Sequence, residues 1–304
     1  MSAPDIVCMG EPLVEFVRQE DGATYLRGFG GDTSNAAIAA ARQGASVGYV
    51  TALGADRFGD AVMALWAEEG VDAAAVRRDE KAPTGIYFVD PDPAERHFTY
   101  YRAGSAASLF GPADLPLDYI RAAKVFHLSG ITLAVSASLR DAGLAAMEAA
   151  AGAGARVSLD TNLRLALWSA DEARDVTDRA MAHAAVAVTS IDDSASLTGL
   201  TDPDAVIDRY QALGPDIVLV TMGEHGCRVG AGSERRTTPP AAATPIDSTG
   251  AGDSFAGSFH AWALEVGDPF EAARRAAVVA AGTVSGLGAI QPIPRRDAVL
   301  RALT

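Results

Sequence analysis

Asp247-Ser-Thr-Gly-Ala-Gly-Asp253, followed directly by Ser254-Phe-Ala-Gly-Ser-Phe-His-Ala-Trp262, passes from a glycine-rich loop into a helical pattern. Gly250, Ala251 and Gly252 are small enough for the backbone to approach an anion, and Phe255, Phe259 and Trp262 recur at helical spacing. A helix that starts here presents unpaired N–H groups and the positive end of its dipole, which suits phosphate, with the Asp253 carboxylate held beside that anion. The same residues also read as a tight Gly-Ala-Gly turn with Asp253 as a helix N-cap. No Lys follows the glycines as a Walker A loop requires, and Phe255 stands where G-x-G-x-x-G needs its third glycine. Any phosphate bound here is bound without a P-loop lysine.

Outward from this stretch, strand and helix signals alternate. Ile6–Met9 is a short apolar run that ends at Gly10, with Glu11 just after it, at the carboxyl end of a strand where open α/β sheets place ligands. Buried strands are predicted at 47–52, 124–128, 156–159, 186–189 and 217–221. Helices are expected over 36–42, 60–69, 136–151, 171–184 and 203–213. Such a rhythm implies right-handed βαβ units and a mainly parallel sheet.

Two segments leave that rhythm. Residues 14–29 carry Val14, Phe16, Tyr25 and Leu26 around Asp21-Gly22, a hairpin signal. Residues 84–89 and 97–101 are β-rich runs joined by the turn-forming insert Asp90-Pro-Asp-Pro-Ala-Glu95. Four such strands would be marginal alone, so they must lean on the main body or on a second subunit.

The chain has 304 residues, 49% hydrophobic and 7% aromatic, enough for a sizeable core in one large α/β domain or two smaller ones. A formal charge of −14 makes nucleic acid and anionic membranes poor partners, so an anionic substrate needs local arginines. Cys8 and Cys227 belong to no C-x-x-C pair and read as buried free thiols of a reducing compartment. The N-terminus lacks a basic region followed by an apolar stretch, and no apolar run is long enough to span a bilayer; a soluble cytoplasmic protein is expected.

The motif D-[ST]-T-G-A-G-D-x-F resembles the C-terminal signature of the PfkB (ribokinase-like) family of sugar kinases. Further matching pieces are Gly30-Gly31 with Asn35, the G-x-D-x-x-G of 54–59, Asp160-Thr-Asn-Leu-Arg164 with Leu167-Trp168, and Thr221-Met-Gly-Glu-His-Gly226. The resemblance implies one ribokinase-like three-layer α/β/α domain over 1–304. Its central sheet would be mainly parallel, with a small β-sheet lid from approximately 12–30 and 84–105 that also serves as a homo-oligomer contact. Within the family the details are most similar to 2-keto-3-deoxygluconate kinases, through Gly10-Glu11, Thr84-Gly-Ile-Tyr-Phe88, Tyr100-Tyr-Arg-Ala-Gly-Ser-Ala-Ala-Ser108 and His127–Thr132. Thr161 stands where the family often has Pro, and Glu11 where many neutral-sugar relatives have Asp.

The resemblance also implies roles. Asp253 would be the general base, with the backbone of Gly250, Ala251 and Gly252 stabilising the transferred phosphoryl group. Glu11, Gly31, Asn35, Tyr87, Tyr101, Arg102 and Arg164 would contact a sugar acid, the two arginines holding its carboxylate and keto end. Asn162, Ser190, Thr221, Gly223, Gly226, Gly250 and Gly252 would face ATP. Asp193 would stand near Mg²⁺, since Ser190-Ile-Asp-Asp193 replaces the N-x-x-E of relatives, and Asp247 and Thr249 would stand near a monovalent cation such as K⁺. Fructose, ribose and 5-dehydro-2-deoxygluconate are the alternative acceptors; an inactive sugar- or nucleotide-binding regulator is the alternative of another class.

Overall fold

In a computed structural model of the chain, residues 3–91 and 96–304 are described; the connection expected at 92–95 lies outside them. The strands, in chain order, are β1 (Ile6–Met9), β2 (Leu13–Arg18), β3 (Tyr25–Gly30), β4 (Val47–Gly54), β5 (Val71–Asp72), β6 (Val76–Asp79) and β7 (Ile86–Pro91). After them come β8 (Arg96–Tyr101), β9 (Val125–Ser129), β10 (Arg156–Asp160), β11 (Val186–Ser190), β12 (Ile217–Thr221), β13 (Cys227–Ala231) and β14 (Glu234–Thr238). The helices are α1 (Asp32–Arg42), α2 (Arg57–Glu69), α3 (Leu117–Arg121), α4 (Gly130–Ala134), α5 (Ala137–Gly152) and α6 (Ala170–Met181). The chain continues with α7 (Ile191–Thr198), α8 (Pro203–Leu213), α9 (Ala251–Val266), α10 (Pro269–Val284) and α11 (Arg296–Ala302).

The large sheet runs β14-β13-β12-β11-β10-β9-β1-β4-β5, with β6 also on β4. It is parallel from β12 to β6 and antiparallel only at the β12–β13–β14 edge. Its inner strands are buried on both faces, as the eight residues of β4 show, because helices cover both. Period two sorts the side chains: Val7, Met9, Phe126, Leu128 and Val218 enter a core with α5, α6 and α8. Cys8, Val188 and Leu219 face the opposite layer, built on α1, α2, α9 and α10. This is the three-layer α/β/α sandwich that the sequence resemblance implies. The edge hairpin β13–β14 and the short β5 and β6 escape the sequence pattern, since two of them have no helix between them and the others are brief.

A second sheet, β3-β2-β7-β8, stands apart. Its two antiparallel hairpins join through a parallel β2–β7 pair. Its root is anchored by Val14, Phe16, Phe29 and Ile86, which pack into the α1–α2 layer, Phe16 meeting Phe58 edge to face at 5.7 Å. Both hairpins leave from the carboxyl-end side of the large sheet, one after β1 and one after β6. The β1 position, with β4 on one side and β9 on the other, is therefore the point where strand order reverses, the place where open α/β sheets form their ligand crevice. Among the described residues no helix is long and apolar enough to cross a membrane.

Candidate active site

At that crevice α9 begins. Its N-cap is Gly250 with φ 76°, and no side chain caps it. Asp253 is thus a first-turn residue and not the cap. Among the first N–H groups, Ala251 donates to Ser248 O at 3.2 Å and Ser254 to Gly250 O at 2.8 Å. Those of Gly252 and Asp253 find no protein acceptor among the described residues, which leaves a positive, donor-rich end open to an anion. A side chain at 250 would press on Ala289, so the turn needs glycine for both backbone and space.

Asp253 is held by two amides. Asn35 Nδ2 donates to its Oδ2 at 2.9 Å and Asn162 Nδ2 to its Oδ1 at 3.4 Å. Asn35 is brought there by α1, whose entry at Gly31 has φ 109°; a Cβ at Gly31 would sit 2.5 Å from the Glu11 carbonyl oxygen. The Asn35 Oδ1 is buried with no partner among the described residues, an acceptor awaiting a donor. Burial, then the charge of Asp32, push the Asp253 carboxyl up to about 6, against the pull of Asn35, Arg164 and Asn162. A carboxylate so placed, beside an uncapped helix end, can accept a proton from a hydroxyl as phosphate is transferred to it.

The residues expected to meet a sugar divide. Tyr87 is buried, donates to Glu15 Oε2 at 2.5 Å, and stacks on Tyr100 with ring centroids 5.3 Å apart. Arg102 lies over the Tyr100 ring at 5.3 Å, and both Arg102 and Arg164 bear electrostatically on the Tyr100 hydroxyl. Arg164 is exposed, with Nη1 donating to Leu163 O at 2.7 Å. Two sequence expectations are corrected. Tyr101 pairs with Ile86 across the strands, so it projects from the face opposite Tyr87, while Tyr100 is the residue opposite Tyr87 and shares its face. Glu11 does not line the crevice: its side chain is wholly buried beneath Arg102, bonded to Arg102 Nε at 2.6 Å and Ser105 Oγ at 3.0 Å. Desolvation raises its carboxyl, and Arg102 and Ser105 oppose the rise.

The other expected residues also have definite places. Ser190 caps α7, its Oγ accepting from Asp193 N at 3.0 Å. Asp193 Oδ2 accepts from Leu163 N at 3.0 Å and Thr161 Oγ1 at 3.2 Å, stapling the loop after β10. Asp247 Oδ1 accepts from Thr249 N at 3.0 Å and Thr249 Oγ1 at 2.7 Å, while its Oδ2 accepts from Gly288 N at 3.0 Å. These carboxylates hold loops together. Among the described residues no group of three or more His, Cys, Asp or Glu side chains is placed to form a metal cage. Thr221 ends β12, and Gly223 and Gly226 flank the short turn after it, on the same edge of the sheet as α9's start.

Residues 3–296 match the profile of the pfkB family carbohydrate kinases. The chain belongs to this family. Among its PfkB relatives, the 2-dehydro-3-deoxygluconokinase of Thermoproteus tenax is 34% identical, covering 98% of this chain and 94% of that one. Probable fructokinase-4 of Arabidopsis thaliana is 38% identical over 83% of this chain and 80% of its own. A crystal structure of Xylella fastidiosa fructokinase with bound ATP superposes with a TM-score of 0.90 at 28% identity, covering 98% of this chain and 97% of that one.

Three residues of this PfkB chain were missed from sequence. Tyr100 was legible from strand alternation, had the β7–β8 register been known. Asp32, at the start of α1, accepts from Asn162 Nδ2 at 3.1 Å. Arg42 binds Glu69 at 2.7 Å and donates to the carbonyls of Ile290 and Ile293, both at 2.7 Å, so it fastens the loop that follows α10 to α1. Nothing local in the sequence signals a contact between residues so far apart.

Proposed function

We propose that the chain phosphorylates the terminal hydroxyl of 2-keto-3-deoxygluconate with ATP, giving 2-keto-3-deoxy-6-phosphogluconate. The observation that carries the reaction is Asp253, held by two amides at an uncapped helix start. Asp253 takes the proton of the attacking hydroxyl, and the N–H groups of the Gly250–Asp253 turn stabilise charge on the transferred phosphoryl group. ATP would lie along Ser190, Thr221, Gly223 and Gly226, with Asn162 at the boundary between the two substrates. The side chains suit Mg²⁺ that arrives on the nucleotide phosphates and keeps its waters better than they suit a protein cage; there it would neutralise phosphate charge. Ser190 and Asp193 stand nearest to that role. Asp247, Thr249 and the loop around Gly288 would flank a monovalent cation.

The acid substrate is supported by charge. Glu11 neutralises Arg102, which leaves Arg164 exposed beside Tyr100 as the surplus cation for a carboxylate. The 38% identity to the probable fructokinase-4 is the observation that favours a neutral sugar. We further infer that the whole chain works as one kinase domain and that its four-stranded sheet is the lid, closing over the sugar and excluding water. Its exposed Tyr25, Leu26, Phe98 and Tyr101 support pairing of two copies through this sheet.

The test is a coupled assay of ATP consumption against sugar acids and neutral sugars. Turnover on fructose with none on 2-keto-3-deoxygluconate removes the substrate assignment. Asp253→Asn is expected to lower kcat by about two to four orders of magnitude; near-normal turnover removes the base.

A further inference from the structure

Asp253 is not the only carboxylate at the crevice. Asn162 Nδ2 stands 3.1 Å from Asp32 Oδ2 and 3.4 Å from Asp253 Oδ1, so one amide nitrogen serves two acids. Asp32 opens α1 but does not cap it: the N-cap is Gly31, with no side-chain cap bond. Asn162 is the one non-glycine residue with positive φ, 31°, among the described residues. Such a backbone costs on the order of 1–3 kcal/mol and persists where its surroundings over-determine it. Here the surroundings are the two acids and the Asp160 carboxylate, whose Oδ1 accepts from Asn162 N at 3.2 Å.

We propose that Asp32 is a positioning residue for phosphoryl transfer: with Asn162 it holds the Asp253 carboxylate in place and keeps it ready to take a proton. The proposal rests on Asp253 being the base. The charged and titratable groups around Asp253 are Asp32 from α1, Asp160 and Arg164 from β10 and the loop after it, and Tyr87 from β7, with Asp193 of α7 behind Asp160. A like charge at Asp32 disfavours ionisation of its neighbour, and the shared amide favours it, so the two have opposite effects on the same proton. Asp32 therefore makes Asp253 a more avid proton acceptor than a carboxylate surrounded by amides alone.

The experiment is the pH dependence of kcat/KM on the accepted sugar for the intact protein and for Asp32→Asn, Asp32→Glu, Asn162→Gly and Asp253→Asn. Asn162→Gly keeps the left-handed backbone accessible and removes only the amide. Asp32→Asn is expected to move the acid limb down by about one pH unit, and Asn162→Gly to move it up. Asp32→Glu should return it towards the parent. An acid limb that stays in place in both Asp32→Asn and Asn162→Gly overturns the proposal, even if KM or thermal stability worsens, because Asp32 is then only structural. If Asp32→Asn does not fold, Asp32→Ser, which also removes the charge, decides by the same downward shift. Asp253→Asn separates the two readings: substantial turnover defeats the base itself, whereas an inactive Asp253→Asn beside unmoved limbs defeats only the role of Asp32.

Discussion

As the proposed base Asp253 must be unprotonated to work, and burial with the charge of Asp32 pushes its carboxyl up to about 6. The sign follows: as pH falls below that value the carboxylate gains a proton and loses its function. kcat/KM should be level near neutrality and drop about tenfold per pH unit on the acid side, which a rate profile measures. At Arg164 the expectation concerns binding. Arg164→Gln should raise KM for a sugar acid by about 10- to 100-fold, the loss of a charge-assisted hydrogen bond, with little effect on a neutral sugar. Equal effects on both would assign Arg164 to the nucleotide or to the loop. The residue types were readable from sequence because chemistry restricts them: a carboxylate after small residues, an arginine after a strand. Which tyrosine joins them was not readable, because Tyr100 and Tyr101 differ only in strand parity, and the β7–β8 register sets that parity.

The elements that carry these residues are placed by glycine and by buried charge. Gly250 has φ 76°, and a Cβ there would come 2.8 Å from Ala289 O and 2.9 Å from Ala289 Cα. Gly250→Ala should therefore cost about 1–2 kcal/mol from the left-handed backbone alone, more with the collision. The variant should melt several degrees lower and lose kcat more than sugar affinity, because the shifted turn is the proposed phosphate end. Calorimetry and steady-state kinetics check the two halves separately. α9 itself was legible from the spacing of Phe255, Phe259 and Trp262, all of which are buried. The packing of α9 on α1 was not: Gly257 touches the Ala36 backbone, and only the folded chain brings those helices together.

Across the whole molecule, the layer behind the active site buries two imidazoles. His127 and His260 lie with ring centroids 5.2 Å apart; His127 Nδ1 meets Ser158 Oγ at 3.1 Å, and His260 Nε2 has no partner among the described residues. Burial lowers His127 to about 4, and burial with the neighbouring His127 lowers His260 well below its ordinary value. The unfolded chain binds these protons first, so the pair's contribution is complete above the ordinary histidine range and is lost as pH falls towards 4. Asp253, Asp160 and Glu11, raised by burial, act in the opposite direction. The clean measurement is a difference: Tm of His260→Leu should fall less steeply with acidification than that of the parent. Parallel slopes would show that His260 does not titrate on unfolding.

By itself the sequence determined the mainly parallel α/β class, and its motifs carried the family resemblance, since periodicity and glycine-rich turns are local properties of the chain. It also determined that Cys8 and Cys227 are free thiols in buried strands, as the structure has them. Only the tertiary structure decided that Glu11 serves Arg102, that Tyr100 stands in place of Tyr101, and that Asp32 shares an amide with Asp253 across the crevice. Each of these depends on the register between strands or on contact between residues a hundred or more apart in some cases, and such distances follow from packing, which no local pattern encodes.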